Sequence, residues 1–271
     1  MTDIDGLTVI IGERINPTGR PKLAAELQEG RFDRALADAT AQAGAGADYI
    51  DVNVGAPGVD EGELLPRLVV AVAEKTGLPV CIDSADPAAL AAALEAYPVP
   101  EAMVNSITAD EESMDAVLPL VAGAGCRVIA MTKDREGIPV TPEERLAKAR
   151  KMVERAASLG IPPERVLVDC LTIPAATDVE AARVTLRSIS LIRGELGCRM
   201  VLGASNISFG MPERPALNAA FLCLAIEAGL DAAIVNPLEP GLLLAVRAAD
   251  FLLGKDRMGR AYLKYYRAHV R

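Results

Sequence analysis

The sequence predicts an α/β protein folded as a (β/α)8 TIM barrel. Three observations carry that expectation. Eight short apolar runs recur along the chain, each bounded by glycine, proline or polar residues. Segments of helical periodicity alternate with them, and the length of 271 residues is near the usual size of one such barrel. A doubly wound open sheet is the competing architecture. It is disfavoured because the first run continues into "GERINPTGR", which lacks the GxGxxG spacing of a dinucleotide turn.

Taken in order, the first strand, "LTVIIGERIN", ends in Glu13 and Asn16. The second, "ADYIDVNVG", follows a helix stopped by the glycines of "AQAGAGAD" and offers Asp51 and Asn53. The third, "LPVCIDS", ends in Asp83 and poses a question. The next helix already has a cap in Asp86, which precedes Pro87, the residue suited to a first helical turn. Asp83 is therefore left without a local task. The fourth strand, "EAMVNSI", ends in Asn105, and Asp110 beyond it reads as a helix cap. The fifth, "CRVIAMT", ends in Thr132, and Lys133 falls in a charged "KDRE" loop that reads as solvated. Thr141-Pro142-Glu143-Glu144 is a capping box with proline at the first helical position.

The sixth strand, "RVLVDCLT", ends in Asp169, several residues before its helix starts, with Asp178 as the expected cap. The seventh, "CRMVLGASNIS", ends in Ser205 and Asn206, and the helix "ERPALNAAFLCLAIEAG" stops at Gly229. The eighth, "DAAIVNP", brings Asn236, a further candidate cap before Pro237. No linker, charge run or short repeat divides the chain, so a single domain over residues 1–271 is expected.

Composition narrows the chemistry. The hydrophobic fraction of 51% implies a large buried core, yet no run approaches the roughly 18 apolar residues of a spanning helix. The N-terminus lacks a basic leader, so no secretory signal or membrane partner is expected. A net charge of −9 argues against nucleic acid as a partner. Five cysteines (Cys81, Cys126, Cys170, Cys198 and Cys223), with no CxxC spacing and mostly in apolar runs, indicate a reduced, cytoplasmic protein. The lone histidine, His269, reads as part of a mobile tail. Without an internal imidazole there is no Ser–His–Asp triad, Cys–His pair or His-ligated zinc.

In such a barrel the strand C-termini converge on one mouth, which these residues would line with carboxylates and amides. A carboxylate matches a planar N–C–N edge carrying two donors, such as the 2-amino-4-oxo edge of a pterin. The same oxygens suit Mg2+. A phosphate is less suited: the last two strand ends carry neither lysine nor a close glycine cluster.

The runs "IIGERINPTG", "DYIDVNVG", "VCIDS", "MVNSI", "VLVDCL", "VLGASNISFG" and "ERPALNAAFLCLAIEAGLDAAIVNP" resemble, in order and over nearly the whole chain, the pterin-binding methyltetrahydrofolate:corrinoid protein methyltransferases. This family is related to the folate-binding module of cobalamin-dependent methionine synthase. The resemblance implies a homodimeric barrel that takes methyltetrahydrofolate or tetrahydrofolate as substrate and works with a corrinoid, cobalamin-like, carried by a partner protein. Matched motif by motif, it implies pterin contacts from Asp83, Asn105, Asp169, Asn206 and Arg214. Asn206 would reach N5, with Asn206 and Asp169 as the catalytic pair and no resident metal. Glu13, Asn16, Asp51, Asn53 and Ser205 are expected behind them. Phe209 either stacks on the ligand or fills the rim. Cys170 follows Asp169 where the corrinoid/iron–sulfur branch has proline, which leaves the partner and the direction of transfer open. A dihydropteroate-synthase-like enzyme, a non-catalytic folate- or corrinoid-binding subunit and a Mg2+-dependent barrel are the alternatives.

Overall fold

In a computed structural model, which describes residues 6–270, eight parallel strands close into a barrel in the order β1-β2-β3-β4-β5-β6-β7-β8. The strands are β1 (Val9–Ile15), β2 (Tyr49–Asn53), β3 (Val80–Asp83), β4 (Met103–Thr108), β5 (Arg127–Met131), β6 (Val166–Asp169), β7 (Arg199–Gly203) and β8 (Ala232–Val235). The helices are α1 (Pro21–Gln28), α2 (Asp33–Ala45), α3 (Glu61–Thr76), α4 (Pro87–Ala96), α5 (Glu111–Ala124), α6 (Pro142–Ser158), α7 (Ala181–Leu196), α8 (Arg214–Ala228), α9 (Leu242–Leu252) and α10 (Arg260–His269). Each strand read from the sequence is present.

The local signals act as expected where they are strong. Asp86 accepts the Ala88 N–H at 2.9 Å and opens α4. Thr141 and Glu144 complete the reciprocal capping box of α6. Gly46, Gly77 and Gly229 close α2, α3 and α8 in the left-handed conformation that only glycine adopts freely.

Strand periodicity explains why the runs look continuously apolar. Their outward residues, such as Ile10, Val52, Ile82, Val104 and Val168, pack under the helices, while Val9, Ile11, Tyr49, Cys81, Met103, Ile129, Leu167, Val201 and Ala232 fill the barrel. One step of two further along stand Glu13, Asp51, Asp83, Asn105, Asp169 and Gly203 on six of the strands, and Met131 and Ile234 on β5 and β8. The same parity that fills the barrel with hydrocarbon thus turns the polar strand ends into its open mouth. Gly12 shows how tightly the outer shell is drawn in. A Cβ there would lie 2.5 Å from Gln42 Oε1, which accepts the Arg14 N–H at 2.9 Å and fixes the end of β1.

Some expectations need correction. His269 is not on a mobile tail: it ends α10, stacks on Tyr265 and bonds the Gly44 carbonyl at the opposite end of the barrel from the mouth. Asp110 stands at the N-cap position of α5, but its carboxylate accepts from Arg135 and Thr108 instead of capping. Asp178 accepts the Glu180 N–H in a turn before α7, whose N-cap is Glu180. Asn236 likewise closes a turn onto Leu238, well before α9 begins.

Candidate functional site

Three neighbouring strands bring the first group of mouth residues together by register alone. Asn53 pairs with Asp83 across β2–β3, and Asp83 pairs with Asn105 across β3–β4. Asn105 Nδ2 donates to Asp51 Oδ1 at 3.1 Å, which leaves the side-chain oxygen Oδ1 of Asn105 to accept from a ligand, its backbone carbonyl being taken by the Ser84 N–H. Asn53 and Asp51 both hydrogen-bond Asp83. Asp51 is deeply buried beside that second carboxylate, and the desolvation and repulsion hold it well above the usual carboxylate range. The two carboxyls share one buried site, so they titrate as a pair in which full ionisation of both is disfavoured. Asp83 itself is pushed up to about 6, first by burial and then by Glu61.

Asp169 stands at the end of β6, paired with Met131 of β5 and Val201 of β7. Its Oδ1 accepts the Leu171 N–H at 2.6 Å and its Oδ2 the Gly203 N–H at 3.3 Å. Burial pushes it up to about 6 against those two amides and the attraction of Arg145 and Lys133.

After β7 the chain makes a short 3-10 turn, Ala204–Ser208, that carries two predicted residues. Ser205 Oγ donates to Glu13 Oε1 at 2.9 Å, so these two form a wall rather than a ligand edge. The Asn206 side chain is exposed, and its amide has no protein partner among the described residues. Arg214 lies on the same rim: Nε donates to Ser208 Oγ at 3.0 Å, Nη2 to the Ser205 carbonyl at 3.0 Å, and the guanidinium covers the Phe209 ring at 5.0 Å. Phe209 is 61% exposed, so it stands on the rim as a platform and does not fill it. Asn16 folds back on itself, accepting the Thr18 N–H at 2.9 Å.

A cavity of about 400 Å³ opens at the β3–β5 side of the mouth, lined among others by Asp83, Ser84, Asn105, Ser106, Met131 and Lys133. Of the predicted pterin contacts it takes in Asp83 and Asn105, while Asp169, Asn206 and Arg214 stand outside its lining. Its size suits a small heterocyclic ligand, and the acceptors along one wall suit a ring edge rich in N–H donors. Among the described residues there is no group of three or more metal-ligating side chains that could hold an ion.

Lys133, which the sequence places in solvent, and Glu61, which no motif marks, both stand near this cavity. Lys133 faces it instead of solvent, because the turn after β5 folds back: Lys133 N donates to Met131 O and its carbonyl accepts from Ala109, each at 2.8 Å. Glu61 reaches in from the start of α3, where its carboxylate takes the Ser84 hydroxyl at 2.6 Å. Neither has a local sequence signal, since each depends on contact between loops distant in the chain.

Comparison with known proteins adds to this geometry. A family model described as pterin binding enzyme matches residues 12–236. A methylcorrinoid:tetrahydrofolate methyltransferase from Eubacterium limosum is 35% identical over 267 residues, spanning 96% of both chains. The methionine synthase of Mycobacterium tuberculosis is 32% identical over 246 residues, which are 86% of this chain but only 20% of that much longer protein. Among solved structures, a Yersinia pestis DHPS bound to a pterine–sulfa conjugate superimposes with a TM-score of 0.71 at 17% identity, covering 93% of this chain and 95% of that one. At that identity the likeness is one of fold alone.

Proposed function

The chain belongs to the pterin-binding enzyme family, and from that premise we propose that it is a methyltransferase working between N5 of a folate and the cobalt of a corrinoid protein. The observation that carries the reading is a relative of that activity matching both chains almost end to end. We assign the direction as corrinoid to tetrahydrofolate, following the activity that relative is named for. The dihydropteroate synthase reading has only the shared barrel in its favour.

The mouth residues fit the substrate by chemistry. Asp83, as a carboxylate, accepts two donors of the pterin edge, and the Asn105 side-chain oxygen accepts a third. Asp169 holds the ring from the β6 side. In the assigned direction the N5 lone pair attacks the cobalt-bound methyl carbon in line. The C–N bond forms as the Co–C bond breaks, that bond's electron pair stays with the partner's cobalt, and N5 gives up its proton; the reverse reaction returns each of these. A group that strengthens its contact as that exchange proceeds lowers the barrier. Asn206 suits this role, because an amide with no competing protein partner can turn to follow the changing charge at N5. It has no proton to give, so proton exchange falls to Asp169 or to solvent. Arg214 donates to two oxygens of the β7 turn, and its charge on this rim supports a folate contact. Glu13, Ser205, Asn53 and Asp51 support these groups from behind.

The protein acts as one domain over residues 1–271 and as a homodimer. Support for the dimer comes from α8, whose outward face exposes Ala216, Leu217, Ala220 and Leu224 in an unbroken apolar stripe. No helix among the described residues is long and apolar enough to cross a membrane, and all five cysteines are free, which supports a cytoplasmic setting. The deciding experiment is to mix the protein with methylcobalamin and tetrahydrofolate, and in reverse with methyltetrahydrofolate and reduced cobalamin, and follow the corrinoid spectrum. Enzyme-dependent exchange of the methyl group is expected in both directions. A spectrum unmoved in both would dismiss the reading.

A further inference from the structure

Arg145, on the first turn of α6, is only 1% exposed and is among the largest fully buried side chains of the molecule. A buried guanidinium is ordinarily paired with a carboxylate, because an unpaired one loses its hydration without return. Among the described residues no carboxylate comes within ion-pair distance of Arg145. Its donors go instead to neutral oxygens of two loops and of α7: Nε to the Pro139 carbonyl at 3.0 Å, and Nη1 to the Leu171 carbonyl at 3.1 Å and Thr185 Oγ1 at 3.4 Å, with the Cys170 thiol beside them. Thr185 Oγ1 also donates to the Leu171 carbonyl, at 3.2 Å.

The residue so gripped is unusual. Leu171 has φ of 65°, a left-handed conformation that a leucine resists. Its N–H is the donor that meets Asp169 Oδ1 at 2.6 Å. An apolar side chain would have filled the space behind β6 with less loss of hydration. An arginine there makes sense if it forces the Leu171 backbone to present its N–H to the mouth.

We infer that Arg145 is a positioning residue for the methyl transfer: from behind the barrel wall it clasps the Leu171 carbonyl and so sets the orientation and charge of Asp169. The inference rests on the functional reading above. Its electrostatic part has the right sign, since Arg145 from α6 and Lys133 from the loop after β5 are the cations that favour the ionised Asp169, while Gly203 of β7 contributes an N–H, Thr185 of α7 a neutral hydroxyl, and Cys170 a thiol that burial and Asp169 push up and so keep neutral.

The test uses the full chain with Arg145→Met, Arg145→Lys and the double variant Arg145→Met with Leu171→Gly, read by kcat and KM for methyl transfer against pH. Arg145→Met should lower kcat on the order of 10²-fold, with little change in folate KM, as a small misplacement at the reacting centre does. Its acid limb should also move to higher pH. Glycine adopts the left-handed conformation without a clasp, so the double variant should recover part of the lost kcat. Should Arg145→Met fail to fold, Arg145→Lys decides. It keeps the charge but lacks the fork that bridges two carbonyls, so lowered kcat with an unshifted acid limb is expected. Wild-type kcat and pH dependence in either single variant, or a lower melting temperature as the only change, overturns the inference. A wild-type chain that moves no methyl group overturns the functional reading instead, which separates the two failures.

Discussion

Asn206 and Asp83 divide the work of the mouth in ways that separate experiments can read. Asn206 has an unengaged amide on an exposed turn, so removing it should leave folding and folate affinity almost intact. Its loss should instead slow methyl transfer by about 10²–10³-fold, the usual effect of deleting one donor that follows developing charge. Single-turnover rates of Asn206→Ala at saturating folate would measure this, and an unchanged rate would remove Asn206 from the chemistry.

Asp83 and Asp169 respond to pH, and in opposite senses for stability and for binding. Both are pushed up to about 6 by burial. Between the ordinary carboxylate range and that value the folded chain holds more protons than the unfolded one, so stability falls as pH rises through the window and levels off above it. On the proposed reading folate affinity should rise through the same window, because an ionised carboxylate accepts from two donors of the pterin edge and a protonated one loses part of that capacity. Urea midpoints and folate titrations at about pH 4.5 and 7.5, compared with a chain carrying Asp83→Asn and Asp169→Asn, check both signs. A wild-type chain whose stability relative to that variant does not fall with pH would mean that these groups are not the buried acids described.

At the scale of elements, α6 is the helix on which the site leans most, since it carries Arg145. Its start is set by the Thr141–Glu144 box, with Glu144 N donating to Thr141 Oγ1 at 3.2 Å and Thr141 N to Glu144 Oε2 at 3.1 Å. Thr141→Ala should lower stability by ~1 kcal/mol, measurable by urea denaturation, and loss well below this would mean that Pro142 alone fixes the helix start.

The strands and this cap were legible in the sequence because each is written locally: a period of two, a run of β-formers, a capping box. Asp83 was conspicuous because Asp86 already occupied the cap. Lys133, Glu61 and Arg145 could not be read the same way. Each gains its role from a loop dozens of residues away or on another strand, and no local pattern separates a lysine turned inward from one in water. The caps expected from Asp110 and Asp178 failed for a related reason. Asp and Asn close turns as readily as they start helices, and the winning partner is decided by tertiary contact.

For the whole molecule, the barrel parity turns one filled core into one polar mouth, and the account stands on that mouth gripping a pterin. Its most direct test is a calorimetric titration of methyltetrahydrofolate into the wild-type protein and into Asp83→Ala at neutral pH. One site per chain is expected in the wild type. The variant should bind about 10–100-fold more weakly, as when a charged partner of a hydrogen-bonded pair is lost. Equal affinity in the two proteins, with both folded, would contradict the account.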